Sequence, residues 1–91
     1  MKGRAEMKSF EYTIKNPIGI HARPAGMLAK TAKGYESVIT VIKDGKSCDC
    51  THLMKLMAMG VKCGDTVTVS IEGTDEDTAS EEMKVYFENN L

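Results

Sequence analysis

The 91 residues are 42% hydrophobic and 27% charged with a formal net charge of −1, which leaves room for one domain with a shallow core. No apolar run approaches the roughly 20 residues that span a bilayer, so no direct membrane insertion is expected. Both signs of charge are spread along the chain and aromatic residues make up 5%, which argues against a nucleic-acid surface. Met1 to Met7 carries Lys2, Arg4 and Glu6 with no apolar stretch behind them. It reads as an N-terminal extension to a single domain spanning 1–91, not as a signal peptide, and the expected localisation is cytoplasmic.

Ser9 to Ile14 alternates, with Phe10, Tyr12 and Ile14 on one side, and Asn16, Pro17 and Gly19 end it in a turn. His21 follows. From Ala22 to Lys33 the sequence is alanine-rich, with Ala25, Leu28, Ala29 and Ala32 at helical spacing and Gly34 as the stop signal. Glu36 to Ile42 alternates again, Asp44-Gly45 is a strong hairpin turn, and Lys46 to Cys50 is the returning strand. Leu53 to Met59 fits a helix of about two turns. Thr66 to Glu72, with Val67, Val69 and Ile71 in alternation, is the clearest strand. Thr74 or Asp75 is expected to cap a last helix whose apolar stripe is Ala79, Met83, Tyr86 and Phe87. The order βαββαβα predicts an α+β sandwich with a mostly antiparallel sheet.

Three cysteines at 48, 50 and 63 form no disulfide framework. Cys48, Cys50 and His52 alternate, which raises a metal site. Buried free cysteine is the better reading, because such thiols behave as small core hydrophobes. No metal and no cofactor are expected.

The run Asn16-Pro17-Ile18-Gly19-Ile20-His21-Ala22-Arg23-Pro24-Ala25 places His21 where a tight turn meets a helix start. Pro24 suits the first helical turn, where a missing N–H costs nothing. Gly19 lets the chain approach a bulky group. Free N–H groups at the helix start, the positive dipole end and the planar cation of Arg23 together suit a phosphate. Imidazole is the right nucleophile for reversible phosphoryl transfer, and a positive surrounding favours its neutral form. His21 as a simple helix cap is the blander alternative; its company of Gly19, Arg23 and Pro24 weighs against it. His52 lacks such company and is expected at the start of the second helix.

Gly19 to Ala25, followed by Ala32-Lys33-Gly34-Tyr35, resembles the active-site stretch of the HPr family, the phosphocarriers of the bacterial phosphoenolpyruvate-dependent sugar phosphotransferase system. The likeness runs from about Phe10 to the C-terminus, through Asp44-Gly45-Lys46-Ser47, Leu53-Met54-Lys55-Leu56 and Gly73 to Asp77. It implies an open-faced β-sandwich, a four-stranded antiparallel sheet covered on one face by three helices. It implies that enzyme I phosphorylates His21 on Nδ1 and that enzyme IIA domains receive the group for sugar uptake. Arg23 would steady the phosphate, beside Gly19, Ala22 and Pro24 in the phosphate-binding stretch. Such a chain is a carrier with a transient phosphohistidine, not a stand-alone catalyst.

The segment Leu53 to Met59 is too apolar for a short helix that packs on one side. Leu56 and Met59 can share an inward stripe, leaving Leu53, Met54 and Met57 outward, and exposed methionine suits surfaces that fit several partners in turn. In HPr proteins the corresponding patch docks enzyme I and the IIA domains. His52 stands where many family members carry a regulatory serine, so serine-based regulation is expected to be absent; Thr51 and Ser47 are poor substitutes. Ile18 stands where a polar residue is frequent. The other reading is a regulatory HPr-like protein of a parallel phosphotransferase branch that acts mainly by protein binding. A carrier that presents one face to successive partners is expected to be a monomer.

Overall fold

The computed structural model describes residues 8–20 and 22–91, so Met1 to Met7 and His21 lie outside the described residues. The elements are β1 (Lys8–Thr13), α1 (Ala22–Ala32), β2 (Val38–Lys43), β3 (Lys46–Asp49), α2 (Leu53–Ala58), β4 (Thr66–Glu72) and α3 (Glu76–Asn90). The strands form one antiparallel sheet in the order β1-β4-β2-β3. This is the α+β arrangement that the element order predicts, with the open-faced sheet that the family resemblance implies.

Alternation along each strand sets the two sheet faces. Tyr12, Val67, Val69, Ile71, Ile39, Val41 and Cys48 are buried on the side of the helices, while Thr13, Thr66 and Thr68 lie on the other. Register fixes the rows: Phe10 opposes Val69, Val69 opposes Val41, and Val41 opposes Cys48. Asp44 and Gly45 both take positive φ, 52° and 80°, as a two-residue hairpin whose twist matches the flanking strands requires. α1 buries Ala25, Leu28, Ala29 and Ala32. α3 buries Ala79, Met83 and Phe87, with Tyr86 half-buried. The Phe87 ring meets the edges or faces of Phe10, Tyr12 and Tyr86 at centroid distances of 5.8, 5.6 and 6.5 Å, a T-shaped arrangement favoured by the ring quadrupoles.

Two local expectations change. Gly34 does not adopt a left-handed conformation; α1 instead closes with tight bonds from the Gly34 and Tyr35 amides to the Thr31 and Ala32 carbonyls, which satisfy the last orphan acceptors. At the start of α3, Asp75 is the N-cap by position but makes no side-chain cap bond. Its carboxylate accepts from the Glu36 and Ser37 amides at 3.0 and 2.9 Å and from the Ser37 hydroxyl. Thr74 donates to Glu36 at 2.9 Å, and Glu76, buried, accepts from the Gly73 amide at 3.1 Å. A Cβ at Gly73 would lie 2.5 Å from the Ser37 Cα, so glycine is what lets β4's exit press against the β2 entry.

The hydrogen bond from the Ser37 hydroxyl, with the Glu36 amide, holds the Asp75 carboxyl below the ordinary carboxylate range. A carboxyl whose folded pKa is depressed stabilises the fold above its unfolded pKa, and that stability is lost as pH falls through the folded value. Asp75→Asn is therefore expected to lower Tm by several degrees at pH 7, with the gap from the parent narrowing as pH drops below about 4. A gap that stays constant across that range in calorimetry contradicts the role given to the ionised carboxylate.

Candidate functional site

The segment Asn16–Ile20 carries the chain from β1 to α1, and it is held by main-chain bonds to two distant segments. The Ile20 amide donates to the Val61 carbonyl at 3.0 Å, and the Lys15 and Asn16 amides both donate to the Leu91 backbone oxygen at 2.6 Å. Within the turn, Gly19 N–H donates to the Asn16 carbonyl at 2.9 Å, and Ile18 N–H donates to Asn16 Oδ1 at 2.9 Å. This is an Asx-turn, in which a short amide side chain stands in for backbone. Gly19 has φ +79°, and a Cβ there would lie 2.4 Å from the Val61 carbonyl oxygen and 2.8 Å from the Lys62 Cα. Both the conformation and the space thus require glycine.

His21, which this turn delivers, lies outside the described residues. Of the other residues singled out from sequence, Gly19 is buried at the crossing with Val61, Ala22 opens α1 in an exposed position, Arg23 is exposed, and Pro24 is half-buried in the first helical turn. No acidic residue lies in the first turn of α1, and among the described residues Arg23 forms no ion pair. Its guanidinium is left available for an anion. α1 contributes free N–H groups at the same end, and the dipole there is positive.

Beside Arg23 the structure has a pocket of about 360 Å³ lined by Asn16, Ile18, Arg23, Pro24, Met27, Tyr86 and Asn90. Ile18, 67% exposed, and Met27 give it an apolar rim. Sequence reading did not associate Tyr86 and Asn90 with this region; the end of α3 returns to the turn only through long-range contacts that no local pattern signals.

α2 packs against α1. It buries Leu56 and half-buries Met59, while Leu53, Met54 and Met57 are exposed, Met54 by 73%. The expected division of this helix into two faces is therefore present. His52 precedes it, exposed, with extended backbone (φ −102°, ψ 92°) and no side-chain cap bond. Thr51 is not free either: Asp49 Oδ1 accepts its amide at 2.8 Å and its hydroxyl at 2.7 Å. Partial burial of Asp49 disfavours its charge, yet the two Thr51 bonds and nearby His52 and Lys55 outweigh that and hold its pKa below the ordinary value. Cys48 and Cys50 point into the core, where burial pushes both thiols up and keeps them protonated, and His52 lies outside with the helix start. The three do not converge. Cys63 is exposed, its Sγ 3.7 Å from the Lys15 carbonyl.

Comparison with known proteins agrees with this geometry. A family profile described as the PTS HPr component phosphorylation site matches residues 8–89. The phosphocarrier protein HPr of Mycoplasma genitalium is 35% identical over 85 residues, covering 92% of this chain and 97% of that protein. HPr of Mycoplasma capricolum is 38% identical over 78 residues, covering 86% and 88%. The crystal structure of HPr-C-His from Thermoanaerobacter tengcongensis superposes with a TM-score of 0.86 at 37% identity, over 91% of this chain and 93% of that one. Since sequence and fold agree along nearly the whole length, the chain belongs to the HPr family, the phosphocarriers of the phosphotransferase system.

Proposed function

We propose that this chain takes a phosphoryl group on His21 from enzyme I, with phosphoenolpyruvate as the original donor, and passes it to enzyme IIA domains during sugar uptake. The observation that carries the reading is the braced turn: Gly19 and Ile20 are fixed against Val61, and the next described residue, Ala22, already belongs to α1. The free N–H groups at the start of α1 and the exposed Arg23 lie just beyond that turn. In the transfer step an imidazole lone pair forms the N–P bond as the bond from phosphorus to the donor breaks. Arg23 and the α1 amides meet the charge on the phosphoryl oxygens, and the reverse exchange delivers the group to the acceptor.

Charge on the surface favours a particular kind of partner. α1 and α2 carry Arg23, Lys30 and Lys55 and no carboxylate, whereas α3 exposes Asp77, Glu81, Glu82 and Glu88 beside a single cation, Lys84. Exposed Leu53, Met54 and Met57 share their helix with Lys55 and no carboxylate, which suits an apolar partner surface edged with acidic residues. In this reading the chain is a monomeric, cytoplasmic carrier domain over 1–91, and Met1 to Met7 is an extension dispensable for transfer. Serine-based regulation is absent because position 52 has no hydroxyl and the Thr51 hydroxyl is committed to Asp49.

Incubation with enzyme I and phosphoenolpyruvate is expected to yield an acid-labile, base-stable phosphate that His21→Ala abolishes. Deleting Met1 to Met7 leaves the label in place. A serine-directed HPr kinase with ATP adds nothing to the chain, and label at Ser47 or Thr51 contradicts that part. An unlabelled parent protein favours instead the regulatory reading, in which the chain acts by binding alone. Met54→Asp is expected to slow transfer roughly tenfold or more, as loss of a central apolar anchor does, with Tm unchanged because the side chain is mostly exposed; a parental rate would remove Met54 from the docking face.

A further inference from the structure

We propose that Asn16 is a positioning residue for phosphoryl transfer at His21, acting through the backbone of Ile18 and Gly19; this rests on the carrier reading above. Asn16 is half-buried and uses both ends of its side chain and both of its main-chain groups. Oδ1 accepts the Ile18 N–H at 2.9 Å, and the carbonyl accepts the Gly19 N–H at 2.9 Å. On the opposite side, its N–H donates to the Leu91 oxygen at 2.6 Å, and Nδ2 reaches the Asn90 carbonyl at 3.4 Å. One residue therefore ties the end of α3 to the turn that precedes His21.

The geometry makes this more than ordinary turn chemistry. Ile18 is largely exposed and follows Pro17, whose ring nitrogen has no N–H to give. Without Oδ1 the Ile18 amide turns to water, and the Asn16–Gly19 turn keeps a single internal bond. The Ile20–Val61 bond fixes the downstream end of the segment; Asn16 fixes the upstream end. With its side-chain bonds removed the upstream end keeps only its main-chain bonds, and the turn can shift about Gly19, the left-handed position, just ahead of α1. Transfer rate is steep in such displacements, because the nucleophile must reach phosphorus in line and near contact distance. The docking helix is untouched, so the loss belongs in turnover and not in partner affinity.

The test compares Asn16→Ala with Asn16→Ser. Serine is neutral and offers an oxygen that can accept the same Ile18 N–H in an ST-turn; alanine cannot. With enzyme I and phosphoenolpyruvate, the alanine variant is expected to lose roughly tenfold in kcat with KM for the carrier within about twofold of the parent. The serine variant is expected to recover most of that rate, and both variants should show the same Tm. Parental kcat in Asn16→Ala, a serine variant as slow as the alanine one, or a loss confined to KM would each overturn the assignment while leaving the carrier reading intact. A parent protein that accepts no phosphoryl group overturns both.

Discussion

The contact between Gly19 and the Val61–Lys62 backbone is the constraint on which the site depends. The Cβ that any other residue would carry falls 2.4 Å from a carbonyl oxygen, so only glycine lets the two segments approach closely enough for the Ile20 amide to reach Val61. The consequence spreads in both directions. Val61 is itself buried, and the segment after it is pinned: Lys62 N–H donates to Asp65 at 2.8 Å, and Lys43 forms an ion pair with the same carboxylate at 2.9 Å. The turn that precedes His21 is thus anchored, through backbone and one salt bridge, to the β2–β3 hairpin. Rigid support of this kind spares a carrier the cost of ordering its reactive loop each time it meets a partner.

A carrier must also let go. A surface that serves both a donor and an acceptor cannot be tuned to one shape; on the docking role proposed for α2, its exposed methionines, unbranched and adaptable to different neighbours, would meet that demand. The arrangement separates two jobs. On the proposed reading, main-chain bonds hold the reacting segment in place, while exposed Leu53, Met54 and Met57 would leave the docking surface adaptable. Charge is biased in the same sense, with only cations on α1 and α2 and mostly carboxylates, beside Lys84, on α3.

Much of this was legible in the sequence, and the reasons differ by element. Strand alternation set the sheet faces, so Val67, Val69, Ile71, Ile39 and Val41 all fall where period two puts them. The two faces of α2 followed from counting more apolar residues than one side can bury. The run from Gly19 to Pro24 announced a tight turn entering a helix, and the structure has Gly19 at positive φ with α1 opening at Ala22 and Pro24 in its first turn. What escaped was non-local. Local pattern offers Thr74 or Asp75 as the α3 cap, but Thr74 bonds Glu36 and Asp75 sits within reach of two amides and a hydroxyl at the β2 entry, and those partners outcompete the helix. Asn16 was read only as a turn residue, since nothing local announces that Asn90 and Leu91 return beside it. Tyr86, assigned to the core stripe, lines the Arg23 pocket as well.

The most direct measurement is to record phosphorus and amide NMR spectra before and after exposure to enzyme I and phosphoenolpyruvate. A phosphohistidine signal should appear, with amide shifts concentrated between Asn16 and Pro24 and at Val61 and Lys62, while the β2 and β4 amides stay in place. Absence of that signal, or phosphorylation with shifts spread through the sheet and none at Val61, would contradict a phosphoryl carrier built on a braced turn.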